Sequence, residues 1–297
     1  IYAGDMQGNL WKFDVSLAGA FPAGTQLFSA TDPTGIKQAI TGGITLGEHP
    51  DGLGTMLYFG TGKYFENTDK SFSANSAPQV DSFYGVLDTG SDNHLKRSEL
   101  EQQVFANEGY AARSTSTNAV HYSSQWGWYI DLMVGATKLG EKVVTAPVLD
   151  DDRIIFSSII PGGDQCGGRL GSGYLNVLDA FSGGQLYEKV LDANGDGTVN
   201  SNDLNVSSIR LDESAEAGAP TLIKSGIKAY VLLLKGGISS ILSISIALSV
   251  DTDNDGIGNF SDSDDDNDGV LDSSDLFPLS PSEFQDIDND GIGDNAD

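Results

Sequence analysis

The sequence predicts an all-β fold followed by an acidic tail, and three observations support this prediction. Short apolar runs alternate with turn residues through most of the chain, and glycine is abundant, with 37 residues among 297. Both features are typical of short strands joined by turns rather than of long helices. Acidic residues number 43 against 16 basic ones, and 16 of the acidic residues lie in 251–297, where no Lys or Arg occurs. We therefore expect a β-domain over residues 1–240 and a separate tail over residues 251–297.

The clearest strand signals lie in the first ninety residues. Ile1–Asp5 and Leu10–Asp14 flank the pair Gly8-Asn9, which tolerates positive φ and so predicts a hairpin. Met56–Gly60 and Phe83–Asp88 predict two further strands.

A loose internal repeat predicts how the strands are grouped. Similar apolar segments start near residues 39, 143 and 217, and each precedes a further strand. The segments are Ala39–Leu46, Val143–Leu149 and Ala217–Ile223, and the strands are Met56–Gly60, Arg153–Ile160 and Lys228–Leu234. Repeated all-β units indicate propeller blades, and a plain β-sandwich is the alternative. A propeller closes with about four to eight blades, so we expect a partial β-propeller whose N-terminal blades precede this sequence.

Further motifs make the propeller prediction more specific. In Val177–Leu186 a strand ends in Leu-Asp and is followed by a Ser-Gly turn, which is typical of quinoprotein-like blades. Five more segments follow one another along the chain: Tyr2–Asp14, Tyr58–Tyr64, Gly127–Leu132, Gly140–Val144 and Ile159–Cys166. Together they resemble the C-terminal domain of the PilY1/PilC family of type IV pilus tip-associated proteins, over residues 1 to about 240.

This resemblance implies a location, a set of partners and a metal site. The family's β-propeller is exposed at the pilus tip, so we expect an extracellular, outer-membrane-associated protein that acts in pilus biogenesis and adhesion. Minor pilins and host or surface receptors would be its partners. The resemblance also implies a calcium loop inserted in the propeller, at Asp192, Asn194, Asp196, Thr198 and Asn200.

The apolar stretch Ile227–Val250 is ambiguous between a membrane anchor and buried strands. Five serines and a Gly-Gly pair interrupt it, and Ile244, Ile246, Leu248 and Val250 alternate with small or polar residues. This period of two favours buried strands over a membrane helix, because a membrane helix needs a continuous apolar run of about 20 residues.

Four acidic segments share one twelve-residue frame. Oxygen-bearing side chains stand at positions 1, 3, 5, 9 and 12, and glycine stands at position 6. Ca²⁺ takes about six to eight oxygen ligands, including the backbone carbonyl at position 7, and the sixth residue must turn sharply. The candidate ligands are Asp192, Asn194, Asp196, Thr198, Asn200 and Asp203; Asp251, Asp253, Asp255, Ile257, Asn259 and Asp262; Asp264, Asp266, Asp268, Val270, Asp272 and Asp275; and Asp286, Asp288, Asp290, Ile292, Asp294 and Asp297.

The regular frame favours calcium over two alternatives. Magnesium demands a tighter octahedron, and a disordered acidic tail gives no reason for glycine at position 6 in every segment. Position 12 is Asp throughout, which predicts affinities near the roughly 10⁻⁴–10⁻³ M of extracellular modules. In the first segment Asp203 follows from this frame alone, and a dockerin-type loop is an alternative for that segment.

The last three segments resemble thrombospondin type 3 repeats. They start at residues 251, 264 and 286 and have no flanking amphipathic helices, which excludes EF-hands. Because this copy lacks the cysteines of the animal repeats, calcium alone would order residues 251–297. Without ions the neighbouring carboxylates should repel one another and unfold the tail.

Charge and cysteine content exclude several function classes. A strongly acidic chain repels nucleic-acid phosphates and anionic lipid. The single cysteine, Cys166, excludes an internal disulfide framework and a cysteine-based zinc site. The histidines are scattered without metal-ligand spacing, and the tryptophans are expected in the core rather than on a sugar-binding platform: His49, His94, His121, Trp11, Trp126 and Trp128.

We therefore expect a calcium-binding pilus protein without enzymatic activity. The first alternative is a quinoprotein-like enzyme, which would bind pyrroloquinoline quinone; we expect none, since the adjacent cysteines usual in such enzymes are lacking. The second is a secreted structural spacer stiffened by calcium, which suits residues 251–297 better than the β-domain.

Overall fold

The computed structural model describes most of the chain. The described residues are 1–16, 23–70, 79–91, 94–107, 112–162, 171–211, 218–225, 228–235, 240–246, 252–253, 259, 263–287 and 293–295. The chain separates into two compact units. The first unit comprises Ile1–Leu149 and Arg153–Ala247, and the second comprises Asp150–Asp152 and Leu248–Asp297.

The described regular structure is almost all strand. The strands are β1 (Tyr2–Gly4), β2 (Asn9–Lys12), β3 (Thr25–Ser29), β4 (Thr45–Glu48), β5 (Thr55–Gly60), β6 (Ser82–Asp88), β7 (Leu95–Lys96), β8 (Glu101–Asn107), β9 (Ala112–Thr115), β10 (Gly127–Val134), β11 (Val148–Asp150), β12 (Arg153–Ser157), β13 (Gly173–Asp179), β14 (Ser208–Leu211), β15 (Thr221–Ser225), β16 (Lys228–Lys235) and β17 (Ser240–Ile246). The described helices are short 3₁₀ turns at Asn67–Lys70, Arg97–Glu99 and Asp272–Ser274. The predicted all-β class is confirmed.

The strands form three sheets in the described part of the chain. Their orders are β1-β2-β3-β7, then β11-β12-β13-β14-β9-β8-β10-β6-β5-β4, and finally β15-β16-β17. In the ten-stranded sheet, β4, β5, β6 and β10 pair antiparallel in succession, as do β12, β13 and β14. The hairpin β8–β9 links these groups, with β8 parallel to β10 and β9 antiparallel to β14. These antiparallel meanders are the unit from which propeller blades are built.

The predicted repeat marks the starts of three meanders, and the first strand of each meander begins a few residues after the start of the repeated segment. β4 starts at Thr45, β11 at Val148 and β15 at Thr221. The residues before β11 instead join other strands: Val143 donates its N–H to the Thr61 carbonyl, and Lys142 bridges Ile159. Val143 thus bonds outside the meander, and the segment Val143–Leu149 contributes only Val148 and Leu149 to β11.

The N-terminal hairpin is confirmed. β1 pairs with β2 in the register Tyr2↔Lys12, and Gly8 adopts a φ of 76° in the turn. Asp5 stabilises this turn because its carboxylate accepts the backbone N–H groups of Gln7 and Asn9, each at 2.8 Å.

The core of the first unit covers both faces of the meander β4–β5–β6–β10. On β5, Tyr58 packs in one apolar cluster with Phe156 of β12, whereas Phe59 packs in a second cluster with Phe28 of β3. Phe83 on β6 stacks on Phe156 with 3.8 Å between ring centroids. Burial on both faces is expected of a blade that lies between two others.

Residues 228–235 and 240–246 form strands, as predicted for this apolar stretch. β16 pairs antiparallel with β17, and Val231 and Ile246 are buried. Among the described residues, no helix has the length and hydropathy of a membrane span.

The structure describes all three tryptophans and all three histidines. Trp128 is fully buried and its indole N–H donates to the Ala180 carbonyl at 2.8 Å, which confirms its place in the core. His49 is buried against the rings of Tyr122 and Phe181. Trp11 and Trp126 are half-buried, and His94 and His121 are exposed; Cys166 lies outside the described residues.

Candidate metal sites

The loop 192–203 lies between β13 and β14 and has the backbone turns that its glycines predict. Gly195 and Gly197, at positions 4 and 6, have φ values of 74° and 91°. These left-handed conformations cost little without a Cβ atom. The tip of the loop is exposed, whereas Leu191 before it and Asp203 at its end are buried.

Side chains at alternate positions hold this turn. Asp192 accepts the N–H of Gly197 at 2.8 Å, Asn194 accepts that of Asp196 at 2.8 Å, and Asp196 accepts that of Thr198 at 2.9 Å. The hydroxyl of Thr198 also donates to Asp196 at 2.8 Å, and its hydrogen bonds lower the pKa of that carboxyl. The oxygens of positions 1, 3 and 5 thus all accept amides of one turn, and such oxygens are the ligands that Ca²⁺ takes.

Asp203 closes the loop through backbone amides. One of its oxygens accepts the N–H groups of Ala193 and Asn194, at 2.9 and 3.1 Å, and the other accepts that of Asn200 at 2.8 Å. Both carboxylate oxygens therefore already have donors. The geometry makes Asp203 a residue that positions the ends of the loop.

The loop 264–275 in the second unit repeats the same local geometry. Asp264 accepts the N–H of Gly269 at 3.1 Å, and Asp266 accepts that of Asp268 at 3.1 Å. Asp268 in turn accepts the N–H of Val270 at 2.7 Å. Positions 4 and 6 again have positive φ, 53° at Asn267 and 94° at Gly269.

This second loop has carboxylate oxygens directed at no donor. One oxygen each from Asp264, Asp266 and Asp268 lies within 4.8 Å of the others. Oδ2 of Asp266 and Oδ2 of Asp275 are buried and have no hydrogen-bond partner. Burial raises the pKa of Asp266, and the nearby carboxylates of Asp268 and Asp275 raise it further. Such a set of hard oxygen donors fits Ca²⁺, whose charge would offset this repulsion.

The two remaining predicted loops are described in part. Asn259 accepts the N–H of Thr252 at 2.8 Å, and Asp294 accepts that of Ile287 at 2.9 Å. In each of these bonds the residue at position 2 of the frame donates its N–H to the side chain at position 9. In the loop 264–275, Asp265 donates its N–H to Asp272 in the same way, at 2.9 Å. Asp253 and Asp286 are also described. The other predicted ligands lie outside the described residues: Asp251, Asp255, Ile257, Asp262, Asp288, Asp290, Ile292 and Asp297.

Sequence reasoning missed this hydrogen bond, in which the N–H of position 2 donates to the side chain of position 9. It fastens the start of each C-terminal loop, whereas in the loop 192–203 the N–H of position 2 goes to position 12. An Asn or Asp seven residues after the second position is the sequence signal that could have predicted it.

The comparisons with known proteins agree with this architecture. The profile described as "PilY1 beta-propeller domain" matches residues 1–118. The crystal structure of the Pseudomonas aeruginosa PilY1 C-terminal domain superposes with a TM-score of 0.65 and 28% identity, and covers 82% of this chain and 56% of that one. The chain is homologous to the PilY1 C-terminal domain.

Curated relatives of the PilY1 type agree at the level of sequence. A Xylella fastidiosa protein named "Type IV pilus biogenesis factor PilY1 homolog" is 34% identical over 209 residues, covering 64% of this chain and 14% of its own length. The Pseudomonas aeruginosa "Type IV pilus biogenesis factor PilY1" is 33% identical over 242 residues, covering 67% of this chain and 20% of its own length. The chain thus spans a fifth or less of these two relatives.

Proposed function

We propose that this chain acts in type IV pilus biogenesis and surface attachment, as part of a protein exposed at the pilus tip. Homology to the PilY1 C-terminal domain supports this function, since the curated relatives are named type IV pilus biogenesis factors. The propeller domain would span residues 1–240. Minor pilins and host or surface receptors would be its partners, and its role would be binding and assembly rather than catalysis, without a quinone cofactor.

Calcium at the loop 192–203 would regulate pilus extension and retraction. The observation that supports this part is the shared hydrogen-bond frame, in which oxygens of Asp192, Asn194 and Asp196 accept amides of one exposed turn. The Thr198 carbonyl and the Asn200 side chain stand at positions 7 and 9 of the same frame. The bound ion would hold the loop in a single conformation.

Replacing Asp196 with Ala tests this proposal, and Asp268→Ala is the matched control at position 5 of the loop 264–275. In isothermal titration, Asp196→Ala should remove one class of calcium site from the 297-residue chain. In the bacterium that encodes it, the same substitution should change surface piliation, while the control should leave piliation as in the wild type. Normal piliation with the loop 192–203 empty would refute the regulatory role.

A second function is favoured for residues 251–297, as a spacer that calcium makes rigid. The unpartnered Oδ2 atoms of Asp266 and Asp275 support it, because buried carboxylates without a cation are costly. Circular dichroism of the chain during a calcium titration tests it. No ordering at millimolar calcium would contradict both this role and the likeness to thrombospondin type 3 repeats.

A further inference from the structure

The two ends of the loop 192–203 are attached to different sheets of the first unit. Leu191, immediately before the loop, forms an isolated antiparallel bridge with Ile246, the last residue of β17. After the loop, the chain continues into β14, which pairs with β13 and β9 of the ten-stranded sheet. The loop therefore lies between the strands β15–β17 and the ten-stranded sheet.

Both attachments are buried. Leu191 is fully buried and Ile246 is 4% exposed. On the other side, Ser207 donates its N–H to the Arg113 carbonyl at 2.8 Å and accepts the N–H of Val177 at 2.8 Å. The base of the loop is closed by the Lys189 ammonium, which donates to the Ser201 carbonyl at 2.7 Å.

β17 has one full pairing partner. It pairs along its length with β16, and on its other edge the described pairing is the single bridge to Leu191. Within the part of the chain that the structure describes, this bridge is the backbone link between β17 and the segment that carries the loop. The conformation of Leu191 therefore bears directly on how firmly β17 is held.

We propose that calcium at the loop 192–203 fastens β17 to the ten-stranded sheet through the bridge between Leu191 and Ile246. This inference rests on the proposed calcium binding by the loop. Without an ion, the carboxylates of Asp192 and Asp196 repel each other, and Asp192 adjoins Leu191 in the chain. With an ion, both carboxylates converge on one point, which fixes Asp192 and holds Leu191 against β17.

Hydrogen exchange of the 297-residue chain, measured by mass spectrometry with Ca²⁺ or with EGTA, tests this coupling. With calcium at about ten times the Kd of the loop, the bound state is favoured about tenfold, so amides of β16 and β17 should exchange about tenfold more slowly than in EGTA. The variant Asp196→Asn should abolish this difference. The matched variant Asp268→Asn should retain it.

The peptides that cover the loop 192–203 distinguish a failure of the coupling to β17 from a failure of calcium binding by the loop. If calcium slows exchange in 192–203 but leaves β17 unchanged, the coupling is wrong and calcium binding stands. If calcium changes neither, both the coupling and the proposed site are wrong. Leu191→Ala keeps every ligand and loosens the bridge, so it should retain protection of the loop and lose that of β17; protection of β17 at the wild-type level would overturn the proposed route.

Discussion

The two units of the chain bury different kinds of side chain. The first unit has a core of large apolar residues, among them Phe83, Trp128 and Phe156. The side chains described as buried in the second unit are acidic: Asp150, Asp266, Asp275 and Glu283. Among its described apolar residues, Val270 and Phe277 are half-buried, and five are exposed: Leu271, Leu276, Leu279, Phe284 and Ile287. Burial of apolar surface drives folding without any ligand, whereas buried carboxylates need a cation or hydrogen-bond donors.

The loop 192–203 of the first unit and the loop 264–275 of the second also differ in how their carboxylates are hydrogen-bonded. Positions 1, 3, 5 and 6 make equivalent hydrogen bonds in 192–203 and in 264–275. Position 12 differs, because Asp203 has amide donors on both oxygens while Oδ2 of Asp275 has none. Equal local sequence thus gives equal turns, and the surroundings decide which carboxylate is available to an ion.

The largest expected effect is the loss of the second unit on removal of calcium. In EGTA, amides of residues 263–287 should lose their protection from hydrogen exchange, because the buried carboxylates then repel one another. The amides of β5, β6 and β10 should keep theirs, since an apolar core holds them. If residues 263–287 stayed protected in EGTA, the second unit would not depend on calcium for its folding, and the proposed contrast with the first unit would be wrong.

Breaking a buried ion pair should destabilise the first unit alone. Arg113 donates to both oxygens of Glu141 at 2.8 and 3.0 Å, and its guanidinium lies between the rings of Phe105 and Tyr174. Arg113→Met leaves Glu141 buried without a cation, which costs about 3–5 kcal/mol. Denaturation followed by tryptophan fluorescence measures this, because all three tryptophans lie in the first unit.

A double variant controls for this effect. Arg113→Met with Glu141→Leu removes the unpaired charge together with its partner, so most of the lost stability should return. Equal destabilisation by the single and the double variant would show that packing around Arg113, rather than the charge of Glu141, is responsible.

A buried carboxyl in the first unit should give a pH dependence of stability. Burial raises the pKa of Asp81 to about 6, although Lys142 lies 3.7 Å away and opposes the rise. The folded state then binds more protons than the unfolded state between the ordinary value and 6, so stability falls as pH rises through this window. A rise in the pKa of Asp81 from 3.8 to about 6 corresponds to about 3 kcal/mol of stability.

Asp81→Asn should remove this dependence. Relative to the wild type, the variant should gain up to about 3 kcal/mol between pH 4 and pH 7. Urea denaturation at each pH, in buffers freed of calcium beforehand so that calcium does not contribute, measures the difference. A constant gap between the two proteins across this range would contradict the raised pKa of Asp81.

The smallest effect compares position 12 in the two loops. Asp275→Asn removes a charged oxygen without a hydrogen-bond partner, so the calcium Kd of the second unit should rise about tenfold, since ligand charge sets affinity. Asp203→Asn should change the Kd of the loop 192–203 less, because amides occupy both its oxygens. Calcium dependence of hydrogen exchange in each loop gives both constants; equal shifts would show that Asp203 binds the ion.

Much of this protein follows from local sequence. The pair Gly8-Asn9 predicted the first hairpin. The alternation of apolar with small or polar residues along 244–250 predicted strands in the apolar stretch 227–250, and the structure has β16 and β17 there. Glycine at position 6 predicted the left-handed turns at Gly197 and Gly269, because a residue without a Cβ atom takes that conformation at little cost. Such features depend on neighbours in the chain, so the sequence alone determined them.

Tertiary structure decided the features that join distant residues. The ion pair of Arg113 and Glu141, the parallel pairing of β8 with β10 and the bridge from Leu191 to Ile246 link segments far apart in sequence. The availability of Asp275 and the closure of the loop by Asp203 likewise depend on which donors surround each carboxylate. Burial and hydrogen bonding arise when the chain folds, and a spacing of residues cannot specify them in advance.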